Sequence, residues 1–173
     1  MSYPFVFLLA YLGLLLQSTI FSQITIAGVK PDFVLILILF MAILEGPKRG
    51  VLFGYTLGFL EDIMTGRLIG VNALSKGITG FILGWFTKRT YRENLLVPIM
   101  GVFIGTIFNG LIFFIIGKIF GLNWPVSMLI WKTIPTAIYN TCLVPFAYSY
   151  FFYRAEDRNR ERQIGTNAWE RFS

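Results

Sequence analysis

Six polar side chains lie in or beside apolar runs of this chain and could do chemistry there: Asp32, Glu61, Asp62, Arg67, Asn72 and Lys76. Charge inside a membrane is costly and faces protein or water. Adjacent acids at a helix end, Glu61 and Asp62, suit an ion or proton site, or a docking acid for a partner. Two acids together beside a short loop suit better a solvated helix end, or a pair with Arg67 or Lys76. Lys76 could reach Glu61 or Asp62, or snorkel to the surface. Asp32 follows Pro31 at the start of an apolar run, where it complements the positive end of a helix. Together Glu61, Asp62, Arg67 and Asn72 could line a small-molecule pocket near the outer face.

Other chemistries are closed. The chain has no His and one Cys, which removes Ser-His-Asp and Cys-His catalysis, His-ligated haem and most zinc sites. Cys142 lies in an apolar run and reads as a small packing residue. No phosphate loop is present, and no carboxylate pair is framed for hydrolysis. We expect no cofactor, no metal and no enzyme activity. A net charge of +6 would suit nucleic acid, but the distribution of Lys and Arg described below accounts for it without such a partner.

The elements that hold these residues are membrane helices. Of 173 residues 55% are hydrophobic and 14% charged, against about 25% charged in soluble domains. The spans read as residues 3–21, 33–44, 48–64, 68–86, 95–120 and 126–152. The fold class expected is an all-α polytopic membrane protein with six transmembrane helices. Residues 1–153 form the transmembrane domain and residues 154–173 a charged cytoplasmic tail, able to extend the last helix by two or three turns. The first stretch lacks a basic leader and a cleavage pattern, and reads as a retained span. The second span is short for a hydrocarbon core of about 30 Å, so it borrows residues at its ends or thins the membrane. Pro135 and Pro145 should kink the last span. Asn109 and Asn140 read as interhelical hydrogen-bond glue.

The third span carries Gly46, Gly50, Gly54 and Gly58, every fourth residue. Positions four apart lie nearly one above another on a helix, so the row is a bare groove that admits another backbone. The fourth span repeats the spacing with Ala73 and Gly77, then Gly80 and Gly84. These glycines serve internal packing or a partner surface. Gly54 and Gly58, deepest in the membrane, are expected to pack on the protein's own helices. Gly46 and Gly50 are expected nearer the cytoplasmic surface, and a Leu at Gly50 is expected to leave the fold intact, with any defect confined to partner binding. With six spans, ten basic residues fall on the side of the termini and of Lys48, Arg49, Lys88, Arg89 and Arg92. Four fall on the other side: Lys30, Arg67, Lys118 and Lys132. Both termini are therefore expected in the cytoplasm.

Lys30-Pro31-Asp32, Glu45-Gly-Pro-Lys-Arg-Gly50, Phe53-Gly54, Gly58-Phe-Leu-Glu-Asp62 and Gly66-Arg-Leu-Ile-Gly-Val-Asn-Ala73 resemble the rod shape-determining protein MreD family. The match is strongest over residues 31–84 and weak from the fifth span onward. The resemblance implies a non-enzymatic scaffold of the cell-elongation machinery in the bacterial inner membrane, binding the bitopic protein MreC and regulating peptidoglycan synthesis and cell shape. It further implies an assembly with RodA, an elongation-specific penicillin-binding protein and MreB, and a fold similar to the S components of energy-coupling-factor transporters. It carries no catalytic residues. The alternative class is a substrate-binding membrane subunit of a small-molecule, vitamin-type transporter.

Overall fold

A computed structural model describes residues 11–14, 29–66, 68–87 and 96–170, with side chains as far as Tyr148. Arg67, Lys88, Arg89, Arg92 and most of the first span lie outside the described residues. After a helical turn at residues 11–14, five helices follow: α1 (Phe33–Glu45), α2 (Pro47–Thr65), α3 (Val71–Thr87), α4 (Leu96–Ile119) and α5 (Val126–Glu170). The described residues contain no β-strand, and the chain is all-helical there.

The shortness of α1 follows from its place. Every residue from Val34 to Ile43 is buried, and α1 packs against α2, α3, α4 and α5. A helix apolar all round belongs inside a bundle. Its thirteen residues are surrounded by protein, so neither borrowed residues nor a thinned bilayer is needed to account for them. Gly46 ends α1 with φ +91°, its N–H donating to Ala42 O at 3.0 Å. A side chain there would be strained. Pro47 then opens α2 with the fixed φ of a first helical position. Gly46 is therefore a turn residue, although its spacing places it in the glycine row; an added Cβ would meet nothing within 4 Å.

The rest of the row is a seam with α3, the closest-packed helix pair. A Cβ at Gly50 would collide with the carbonyl of Gly80, and one at Gly80 with that of Gly50. A Cβ at Gly54 would stand 2.8 Å from Gly77 Cα, and one at Gly58 2.6 Å from Asn72 O. At the end of the seam nearest the start of α2, a Cβ at Gly84 would come within 2.7 Å of Pro47 Cα. Gly77 differs, since a Cβ there meets Tyr55 at ordinary contact distance, 3.6 Å and beyond. The expectation that Gly50 takes a Leu without loss of fold is corrected. Four-residue spacing on both helices keeps the backbones together over the whole seam, and Gly50 meets Gly80 as Gly54 meets Gly77.

The third loop shortens the fourth span. Residues 68–70, expected to be helical, form the loop into α3, which starts at Val71. Helix α5 contains Pro135 and Pro145 yet runs unbroken to Glu170, past the two or three turns expected beyond residue 153. Cys142 is exposed on α5, so it is not the packing residue that its apolar neighbours suggest.

Candidate functional site

Lys76 lies in the second turn of α3, fully buried. Its ammonium donates to Asp32 Oδ1 at 3.0 Å, stands 2.8 Å from Asp32 Oδ2, and donates to Glu61 Oε2. One cation thus joins the start of α1 to the end of α2. Asp32 holds this place because it also caps α1, accepting from Leu35 N at 2.8 Å. Its own N–H donates to Asn140 Oδ1 on α5 at 2.9 Å. Asn140 Nδ2 in turn donates to Thr106 Oγ1 on α4 at 3.3 Å, and Thr106 donates to Val102 O at 2.7 Å. All five helices therefore meet in one polar network. Removing one partner of a buried ion pair costs about 3–5 kcal/mol, because the other charge is left alone.

Asp62 does something different. It is 1% exposed, and its carboxylate accepts from the first residues of α3. Oδ2 takes Gly70 N at 2.9 Å and Ala73 N at 3.1 Å; Oδ1 takes Asn72 N at 3.1 Å and Asn72 Nδ2 at 2.8 Å. The first N–H groups of a helix have no partner within it. A carboxylate supplied by α2 satisfies them and complements the positive end of α3. Gly70, at φ +105°, turns the chain so that its N–H reaches the same oxygen as that of Ala73.

Of the six candidates, the structure brings together Asp32, Glu61 and Lys76 in one cluster and Asp62 with Asn72 beside it. The Asp62–Lys76 pair, one of those weighed from the sequence, does not form: Lys76 takes Glu61 and Asp32. Arg67 lies outside the described residues. The partnership of Asp32 with Lys76 was missed, as was Thr106. The signal available for the first was an acid and a base each set in an apolar run; for Thr106 there was none. Asn140 ties α5 to α1 and α4, and Asn109 receives a long contact from Thr79, 3.5 Å.

Beside these acids lies a cavity of about 780 Å³. Glu61, Asp62 and Asn72 line it from α2 and α3, Phe113 from α4, and Trp124 and Lys132 from the start of α5 and the turn before it. A second, apolar cleft of about 900 Å³ separates α3 from α4 at their other ends, lined by Phe86, Leu96, Met100 and Ile104 among others. Among the described residues no group of three or more His, Cys, Asp or Glu gathers to hold a metal.

No curated protein and no solved structure matches the chain. The expected likeness to transporter S components therefore has no solved structure behind it. A family model does match, described as rod shape-determining protein MreD, over residues 1–154 of the 173. This family consists of membrane proteins that act in rod shape determination. The matched stretch includes the glycine seam, the Asp32–Lys76–Glu61 cluster and the Asp62 cap, and by it this chain belongs to the MreD family of rod shape-determining proteins.

Proposed function

We propose that the chain is a non-enzymatic, multi-pass scaffold of the bacterial inner membrane with both termini in the cytoplasm. It binds an MreC-like bitopic protein and, with RodA, the elongation-specific penicillin-binding protein and MreB, regulates peptidoglycan synthesis and so cell shape. One observation carries this reading. The glycines of α2 are consumed inside the fold, and the opposite face of α2 shows an apolar stripe, Leu52, Tyr55, Phe59 and Ile63, each exposed. Residues spaced in this way share one helix face, and Tyr55 stacks on Phe59. A single-span partner is itself an apolar helix and packs on such a ridge.

Among the described residues only α4, Leu96–Ile119, is long and apolar enough on its own to cross a membrane. The multi-pass reading rests on how α2 and α3 satisfy their charges. Lys76 and Glu61 are turned inward onto each other and Asp62 onto the N–H groups at the start of α3, as charged residues within a bilayer require, while large apolar side chains face out. The test is cross-linking in native membranes, with cysteines at Leu52, Tyr55 and Phe59 and with Cys142 replaced by Ala. An adduct with a single-span protein supports the reading. Adducts only from outward positions of α4 such as Ile104 and Leu111 would move the interface off α2.

The transporter-subunit alternative is favoured by one observation, the cavity beside Glu61 and Asp62. A vitamin-like molecule copurifying with the chain would support it.

A further inference from the structure

The two acids on the cavity wall are not equivalent. Both oxygens of Asp62 are occupied, each accepting two hydrogen bonds. Glu61 is 8% exposed and uses Oε2 for Lys76; among the described residues Oε1 accepts no hydrogen bond. Charge tells the same story. Lys76 is shared between Asp32 and Glu61, so with both carboxylates ionised one negative charge lacks a counterion among the described residues. A buried charge of this kind is expensive unless something pairs with it. Besides Asp62, Asn72 and aliphatic side chains such as Val71 and Leu122, the cavity wall that Glu61 shares carries aromatic rings. Phe113 and Trp124 stack with ring centroids 5.5 Å apart and planes within 12°, and both line the cavity. A carboxylate beside aromatic faces recognises an alkylammonium, by a charge-assisted hydrogen bond and by cation–π attraction. The volume lies within the range of small-molecule sites, about 300–1,000 Å³. Lys132, exposed on the same wall and in no ion pair with a described residue, repels a second positive charge.

We propose that this cavity binds a small organic monoamine, its ammonium on Glu61 Oε1 and its apolar body on Phe113 and Trp124. The site is independent of the scaffold reading and stands whether or not a single-span partner binds α2.

The experiment uses the purified full chain in lipid nanodiscs, with calorimetric titration and thermal melting. The probes are 2-phenylethylamine, its neutral analogue 2-phenylethanol, and 1,4-diaminobutane. The amine should bind saturably and at least about tenfold more tightly than the alcohol or the diamine. Glu61→Gln should bring the amine to the affinity of the alcohol. Trp124→Leu, which touches no ion pair, should weaken the amine about fivefold; together with the amine–alcohol contrast it decides the matter if Glu61→Gln does not fold. Equal binding of amine and alcohol, no saturation by about 10 mM, or unchanged amine affinity in the folded variants would overturn the proposal. So would tighter amine binding in Arg67→Gln than in the unaltered chain, since that would mean the protein's own guanidinium fills the site.

Discussion

Replacing Lys76 by Met tests whether the buried charges hold the helices together. Met keeps most of the volume and removes the ammonium. Three short N···O approaches disappear, two to Asp32 and one to Glu61. What remains is two carboxylates, from α1 and α2, pointed at the space of one lost cation in a region with little water. Removing one member of a buried ion pair costs about 3–5 kcal/mol. For a chain of this length that is a fall on the order of 10 °C in melting temperature. The neutral triple variant Asp32→Asn, Glu61→Gln, Lys76→Met should recover most of the loss. Replacing a whole buried ion cluster by neutral groups is often close to free, and Asn at position 32 still caps α1 through its side-chain oxygen. The assay is thermal melting of the purified protein in detergent, read by far-UV circular dichroism, beside folded yield from membranes. If Lys76→Met melts with the unaltered chain, the ammonium does not sit between the two acids. If the triple variant melts no higher than the single one, uncompensated charge is not what the single variant suffers from.

The glycine seam predicts that Gly50→Leu, Gly54→Leu and Gly58→Leu all lower folded yield, by at least about 1–3 kcal/mol each, whereas Gly77→Ala is close to neutral because a Cβ there meets only Tyr55 at 3.6 Å or more; size-exclusion recovery from membranes measures both. A normal yield for Gly50→Leu would place α3 elsewhere. Asp62→Asn should destabilise by about 1–3 kcal/mol, since its amide would face N–H donors of Gly70 and Ala73 or of Asn72; hydrogen exchange at the first turn of α3 should rise with it, and unchanged exchange would refute the cap. Reporter fusions at Arg92 and in the tail should report cytoplasm, and those at Val29 and Asn123 the outside; an external signal at Arg92 would break the span count.

Much of this protein can be read from its residues in order. Helix α1 is legible because twelve apolar residues follow Asp32 without a break. That α2 and α3 each carry a face for close approach of another backbone is legible from glycine at every fourth position, though not that the two faces meet each other. The family was legible in the order and spacing of its short motifs between Lys30 and Ala73. These features are local or periodic, and a helix turns sequence spacing directly into a shared face. Tertiary structure alone decided the rest. Gly46 and Gly50 belong to one periodic row, yet one turns the chain and the other meets Gly80, because the backbone between them changes direction. Lys76 chose Asp32 as well as Glu61 over Asp62, because Asp62 was already taken up by the N–H groups of α3. Asp32 and Lys76 are 44 residues apart, and Asp32 and Asn140 are 108 apart. No spacing rule links such positions: which charges share the interior depends on which helix ends the bundle brings to the same depth.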